Sequence, residues 1–122
     1  MSGNDGIVWY LRIQEEHLGT VVVLRLDGRV SNATTGDLAA ALARFCTPDH
    51  RAVALDLSGV DYVNGEGLRI IEAAAAGHRA RQGEVVVFGL TPIVRTAFDL
   101  AGATAQLSIE PSREAALRRL AT

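Results

Sequence analysis

Three histidines and one cysteine are the residues of this sequence that most readily carry catalytic or metal chemistry. Imidazole can act as a general acid or base or bind a transition metal, and a thiolate can act as a nucleophile. His17, His50 and His78 fall in three different predicted elements, and none has metal-ligand spacing to another or to Cys46. We predict that His78 is a partly exposed residue of an amphipathic helix and that Cys46 is a small core residue. No catalytic set or metal site follows, so we predict that the chain is not an enzyme.

The segment Gly65–Leu68 comes nearest to a nucleotide-binding motif. It has the first two glycines of a dinucleotide fingerprint, but Ile70 stands where the third glycine belongs. Glu66 also places a negative charge at a helix start, where a phosphate would otherwise bind. The chain contains no Walker A sequence. The sequence therefore predicts no cofactor and keeps a weak nucleotide or small-molecule sensor only as an alternative.

The composition is that of one globular domain. The 122 residues are 48% hydrophobic and 21% charged, with a net charge of −2 and 5% aromatic residues. A chain of this size can bury one hydrophobic core, and we predict a single domain over residues 1–122. The slight negative charge and the few aromatics argue against direct binding to nucleic acid. The apolar runs are too short to cross a bilayer and residues 1–10 lack signal-peptide features, which predicts a cytoplasmic location without direct membrane insertion.

The front of the chain is typical of an antiparallel hairpin. Residues 7–13 and 20–27 are rich in β-branched, aromatic and aliphatic side chains, as strands are. Residues 14–17 are polar and are expected to interrupt the first strand. Leu18 and Gly19 then supply the turn, so we predict a hairpin with a longer loop.

The rest of the chain alternates between helical and strand patterns, which predicts parallel crossovers. We therefore predict an α/β fold with a mixed sheet of four to five strands and about four α-helices. Val94, Phe98 and Leu100 are expected on the apolar face of the third helix. The predicted elements are a helix capped by Thr34 or Thr35 that ends before Pro48, a strand over 51–57, a helix after Asn64, a strand over 84–88, a helix from Thr91–Pro92 to Gly102, an edge strand over 106–109 and a last helix capped by Ser112.

Three motifs in order along the chain resemble the STAS domain, specifically the bacterial anti-sigma-factor antagonists. Residues 56–68 (DLSGVDYVNGEGL) run from a buried strand into a helix start, as the family's central motif does. Residues 26–31 (LDGRVS) are similar to its early turn, and residues 85–102 are similar to its late strand and helix. The resemblance covers nearly the whole chain, and it implies a STAS-like fold.

The resemblance also implies a site. In members with a complete switch, the second serine of an Asp-Ser-Ser-Gly motif is phosphorylated by a partner anti-sigma kinase, which releases that partner. This acceptor position falls on Glu66, and the preceding serine falls on Gly65. The aspartate of that motif falls on Asn64, and the aspartate of the family's early turn falls on Ser31, so all four polar positions differ. The implied partner-binding or degenerate phosphorylation site comprises Ser31, Asn64, Gly65, Glu66, Gly67 and Leu68.

The residue types at these positions favour an anionic helix start that cannot be phosphorylated. Asn64 is a good N-cap, and Glu66 then lies at about the second helical position, where an anion gains roughly 0.3–1 kcal/mol from the helix dipole. A carboxylate has no hydroxyl to receive a phosphoryl group. Glu66 is thus either a built-in phosphomimic or the mark of a lost switch on a retained binding surface. Gly65 and Gly67 are expected to permit a tight turn and close packing. Ser31, Thr34 and Thr35 are expected to be capping or turn residues.

The function that follows is non-catalytic regulation by partner binding. The resemblance implies an anti-sigma factor or a serine-kinase-like switch protein as the partner. One rival interpretation is a subunit of a larger assembly, either a stressosome-like scaffold or a transporter-associated domain, and a homo-oligomer is a further possibility. The nucleotide or small-molecule sensor is the second rival.

Overall fold

The computed structural model describes residues 10–121, which form one five-stranded sheet with helices on both faces. The strands lie in the order β1-β2-β3-β4-β5; β1 and β2 are antiparallel, and every later pair is parallel. This confirms the predicted mixed α/β fold. The strands are β1 (Leu11–Leu18), β2 (Val21–Val30), β3 (Ala52–Val63), β4 (Glu84–Phe88) and β5 (Ser108–Glu110), and the helices are α1 (Thr35–Phe45), α2 (Gly65–Ala80), α3 (Pro92–Leu100) and α4 (Arg113–Leu120), with a 3₁₀ turn at Ala103–Ala105.

The hairpin formed by β1 and β2 is tighter than the sequence predicted. Leu18 pairs with Val21, so the loop has two residues, and Gly19 adopts a φ of +63°. Residues 14–17 do not interrupt the first strand but belong to it. An edge strand exposed to solvent tolerates such polar side chains, which is why the predicted break and the longer loop were wrong. The start of the predicted strand, at residues 7–9, lies outside the described residues.

The sheet separates two hydrophobic layers because its central strands are apolar on both faces. On one face, Val53 and Leu55 of β3 pack in the larger core with side chains of α1, α2 and α3. On the other face, Ala54 and Val86 pack with Ala116 and Leu120 of α4. The parallel strands therefore direct their carboxyl ends, and the helix starts that follow them, to one edge of the domain.

Strand β3 is longer than predicted because a bulge interrupts its apolar pattern. The predicted strand ended at Leu57, but β3 continues to Val63. Its pairing with β2 shifts register between Arg25 and Asp27 and again after Gly28. The longer strand brings its end beside the end of β2, which determines where α2 begins.

Two predicted side-chain positions are wrong. His78 is 1% exposed, and its Nε2 lies 2.8 Å from the His50 carbonyl oxygen, to which it donates a hydrogen bond. The ring fits because Gly83 has no side chain beside it. Leu100 is 84% exposed, since it follows Phe98 by two positions and so points to the opposite side of α3.

Cys46 is a core residue, as predicted. It is buried in the larger hydrophobic cluster at the end of α1. Burial raises the pKa of its thiol to about 11, and the nearby positive charge of Arg81 opposes that rise. The thiol is therefore protonated at neutral pH and is a poor nucleophile.

Candidate functional site

The carboxyl ends of β2 and β3 bring the two halves of the predicted site together. Val30 is paired with Val63 in the parallel register, and the Asn64 N–H donates to the Val30 carbonyl at 3.0 Å. The Asn64 side-chain amide donates to Asn32 Oδ1 at 3.0 Å across the same gap. The loop that begins at Ser31 therefore lies directly beside the start of α2.

Asn64 is the N-cap of α2, as predicted. Its backbone is extended, with φ −82° and ψ 172°, and its side-chain oxygen accepts from the Gly67 N–H at 2.8 Å. Its carbonyl accepts from the Leu68 N–H at 3.1 Å. One side chain thus satisfies a helix donor and also ties the helix start to the loop after β2.

Glu66 is the second residue of α2 and is exposed. No ion pair joins its carboxylate to any residue within 10–121. The helix dipole and the free N–H groups of the first turn favour a negative charge here. The carboxylate is therefore available to a molecule outside the domain.

The two glycines that flank Glu66 differ in their surroundings. A Cβ on Gly67 would lie 2.5 Å from Val30 Cγ1 and 3.1 Å from Val63 Cγ1, so Gly67 allows the helix to approach the strand ends. A Cβ on Gly65 would meet only the Arg69 guanidinium, at 3.7 Å. The expected close packing is therefore confirmed for Gly67, whereas Gly65 leaves the surface beside Glu66 open.

The loop after β2 is a hydrogen-bonded turn. The Ser31 N–H donates to the Thr34 hydroxyl at 2.9 Å, and that hydroxyl donates to the Arg29 carbonyl at 2.7 Å. Thr34 occupies the N-cap position of α1, but its side chain makes no cap hydrogen bond. Thr34 is thus a turn residue and does not cap α1 through its hydroxyl. Ser31 is half-buried in this turn.

The six predicted site residues differ in exposure. Gly65 and Glu66 are exposed, whereas Gly67 and Leu68 are buried beneath them. Ser31 and Asn64 are half-buried at the boundary. The exposed pair can contact another molecule, whereas Asn64, Gly67 and Leu68 fix the helix start against the strand ends, and Ser31 bonds only within its own turn.

Sequence reasoning missed a pair of side chains near the ends of β2 and β3, on the sheet face opposite to α2. The Arg29 guanidinium lies over the Tyr62 ring, 4.8 Å from its centroid, and Arg29 Nε is 3.9 Å from Asp61 Oδ1. Tyr62 remains 41% exposed. These residues and Asn32 become neighbours only through the β2–β3 register, and no local motif signals that pairing.

Two features are absent among residues 10–121, a metal-binding cluster and a membrane-spanning helix. No group of three or more His, Cys, Asp or Glu side chains there is placed to hold a metal ion. No described helix is both long enough and apolar enough to span a bilayer.

Replacing Asn64 with alanine is expected to destabilise the domain by about 1 kcal/mol, because α2 loses its cap. The Asn32→Ala variant is the matched control, since it removes the Asn32–Asn64 hydrogen bond but leaves the cap acceptor in place. Urea denaturation of both variants measures the difference. A loss in Asn32→Ala as large as that in Asn64→Ala would contradict the assignment of Asn64 as the cap.

Comparison with known proteins places this arrangement in a family. The family described as Mlab, STAS domain matches residues 13–109. The chain is 33% identical over 106 residues to BtrV of Bordetella bronchiseptica, provisionally named an anti-sigma factor antagonist, across 87% of this chain and 91% of that protein. An anti-sigma factor antagonist from Mycobacterium paratuberculosis superposes with a TM-score of 0.80 at 21% identity, covering 92% of this chain and 95% of the other.

A second solved structure has the same fold. SpoIIAA of Bacillus in its unphosphorylated form gives a TM-score of 0.74 at 17% identity, covering 91% of this chain and 98% of that one. The chain belongs to the STAS domain family. Within that family it is a STAS domain of the anti-sigma factor antagonist type. That type is regulatory and non-catalytic.

Proposed function

We propose that this chain is a cytoplasmic regulatory module that binds an anti-sigma factor or a serine-kinase-like switch protein through the start of α2. The observation that carries the proposal is the exposed Glu66 carboxylate on a capped helix start, at the position that the resemblance assigns to the phosphoacceptor. The names of the relatives support this class of partner.

The shape of the surface supports binding of another protein. Gly65 has no side chain and is exposed, so a partner backbone can approach the first turn of α2 closely. Glu66 projects beside it, and the exposed Tyr62 with its stacked Arg29 lies near the same strand ends, on the opposite face of the sheet. Exposed Tyr and Arg side chains are frequent anchors in protein interfaces.

We propose further that this contact is constitutive. Glu66 offers one negative charge and two acceptor oxygens, whereas phosphoserine would carry nearly two charges and three oxygens. The carboxylate therefore lacks part of the charge by which a phosphate repels a partner, and it cannot be modified by a kinase. The retained surface then binds whether or not ATP is present.

Affinity capture from the native cells tests the docking role. Glu66→Arg is expected to lose about tenfold or more of the captured partner, because the charge at the centre of the contact is reversed. Glu114→Arg is the matched control. Glu114 is also exposed and is also the second residue after an N-cap, in α4, so both variants carry the same cost at a helix N-terminus.

The identity of the captured protein decides between the function classes. An anti-sigma factor or a kinase-like protein that binds wild type and Glu114→Arg, but not Glu66→Arg, is the expected result. Equal capture by both variants would contradict docking through α2. Capture of transporter or scaffold subunits alone would favour the rival assembly role.

A further inference from the structure

A shallow apolar groove lies between α1 and α2, on the face away from the sheet. Small side chains line it, with Ala39 and Ala43 on α1 and Ala73, Ala74 and Gly77 on α2. Ala39, Ala43 and Ala73 are exposed. Small residues on neighbouring helices leave room for another helix to approach closely. The groove therefore has the shape of a helix-docking surface.

Opposite charges lie at the two ends of α2: Arg81 lines the groove, and Glu66 lies one turn beyond Ile70, the last groove residue at the other end. Glu66 is in the first turn, and Arg81 follows the last turn, about 22 Å away at 1.5 Å per residue. The Arg81 guanidinium lies at the end of the groove, where its Nη2 donates to the Cys46 carbonyl at 3.0 Å. That single hydrogen bond leaves most guanidinium donors available.

The residues between these two charges lie on one side of α2 and are spaced symmetrically. Glu66, Ile70, Ala73, Gly77 and Arg81 recur every three or four positions, so they form one stripe along α2. The midpoint of the stripe falls between Ala73 and Ala74. Ile70 and Gly77 are equally distant from that midpoint, as are Glu66 and Arg81.

We propose that the groove binds a second copy of this chain, with the two α2 helices antiparallel about a two-fold axis beside Ala73 and Ala74. In this arrangement Glu66 faces the partner's Arg81, and Ile70 packs against the partner's Gly77. Each contact occurs twice, as a two-fold interface requires. A parallel arrangement would instead place like charges together, so the charges favour the antiparallel direction, in which one surface supplies both members of each pair.

The dimer is expected to be weak and dependent on concentration. Two helices present a smaller face than the roughly 800 Å² per partner that standard interfaces bury. Because Glu66 takes part in this contact and also in the proposed docking of a regulatory partner, the two contacts exclude each other. Self-association would then lower the amount of chain available to that partner.

Sedimentation equilibrium of the purified full chain, over a range of concentrations, tests the dimer by charge reversal. Arg81→Glu and Glu66→Arg are each expected to weaken dimerisation by about tenfold, because each turns two attractive pairs into two repulsive ones. The double variant restores both pairs and is expected to dimerise within about threefold of wild type. Arg79→Glu is the control: it makes the same change in net charge, but Arg79 lies on the opposite flank of α2 beside Glu72.

Because Arg81→Glu also removes the hydrogen bond to the Cys46 carbonyl, a further variant tests the dimer without changing Arg81. Ala73→Glu places two carboxylates beside the proposed axis at an exposed position, and it is expected to leave only monomer. A wild-type chain that remains monomeric at all concentrations would overturn the proposal. A double charge-reversal variant that dimerises no better than the single variants would also overturn it. Circular dichroism confirms that each variant is folded before it is compared.

Discussion

Replacing Gly83 with alanine is expected to destabilise the domain by about 2–4 kcal/mol, the largest loss that we predict for a single added methyl group. A Cβ at this position would lie 2.5 Å from the His78 Cδ2 atom. The ring is buried and bound to the His50 carbonyl, so it cannot move without losing that hydrogen bond. The cost combines overpacking with a buried donor left unsatisfied.

Urea denaturation measures this loss, and Gly36→Ala is its matched control. A Cβ on Gly36, in the first turn of α1, would meet nothing within 4 Å. Alanine also favours the helix over glycine by up to about 1 kcal/mol, so this control is expected to be neutral or stabilising. A Gly83→Ala variant as stable as wild type would show that the His78 ring can shift freely, contrary to the packing described.

Replacing Gly67 with alanine is expected to cost about 1–2 kcal/mol and to weaken partner capture. The new methyl group would press on Val30 and Val63 at the strand ends, and the gain in helix propensity would offset only part of that strain. The first turn of α2 would then move away from the sheet. Because Glu66 lies in this turn, the proposed contact would be displaced with it.

Gly65→Ala is the control for this second prediction. It lies in the same turn, so it shares the gain in helix propensity, but its Cβ would meet only the flexible Arg69 side chain at an ordinary distance. It is expected to be as stable as wild type or more so. Equal stabilities for the two alanine variants would contradict the close contact of Gly67 with the strand ends.

The sequence predicted the fold well where the pattern was local. Short continuous apolar runs identified the central strands, and Asn64 and Ser112 were recognised as caps because a cap depends on only a few neighbouring residues. The hairpin was harder to predict. Residues 14–17 look like a loop in isolation, and only their pairing with β2 makes them a strand.

Two side-chain positions on helices were predicted wrongly because residue type was given more weight than helical spacing. His78 was expected to be partly exposed because imidazole is polar, but a carbonyl 28 positions earlier in the chain satisfies its donor. Leu100 was expected in the core because it is apolar, but it is the last residue of α3 and its side chain is exposed to solvent. In both cases helical spacing favours the observed position, because His78 follows the buried Ala75 by three residues, whereas Leu100 follows the buried Phe98 by only two.

The sequence predicted the site residues on α2 but not the strand and loop residues around them. The residues of α2 form one continuous segment, so their positions followed from the cap at Asn64. Asn32 joins the site, and Arg29 stacks on Tyr62, only because β2 and β3 end side by side. That register depends on the bulge in β3, which the sequence alone did not reveal.

The most direct test of constitutive docking is a titration of the purified, captured partner with wild type and with Glu66→Ser, each with and without ATP. ATP is expected to change the wild-type Kd by less than about twofold, because Glu66 cannot accept a phosphoryl group. The Glu66→Ser variant is expected to gain one phosphate at position 66 and to lose at least about tenfold in affinity. Wild type that binds only as weakly as the phosphorylated variant, or that loses affinity with ATP, would contradict the account.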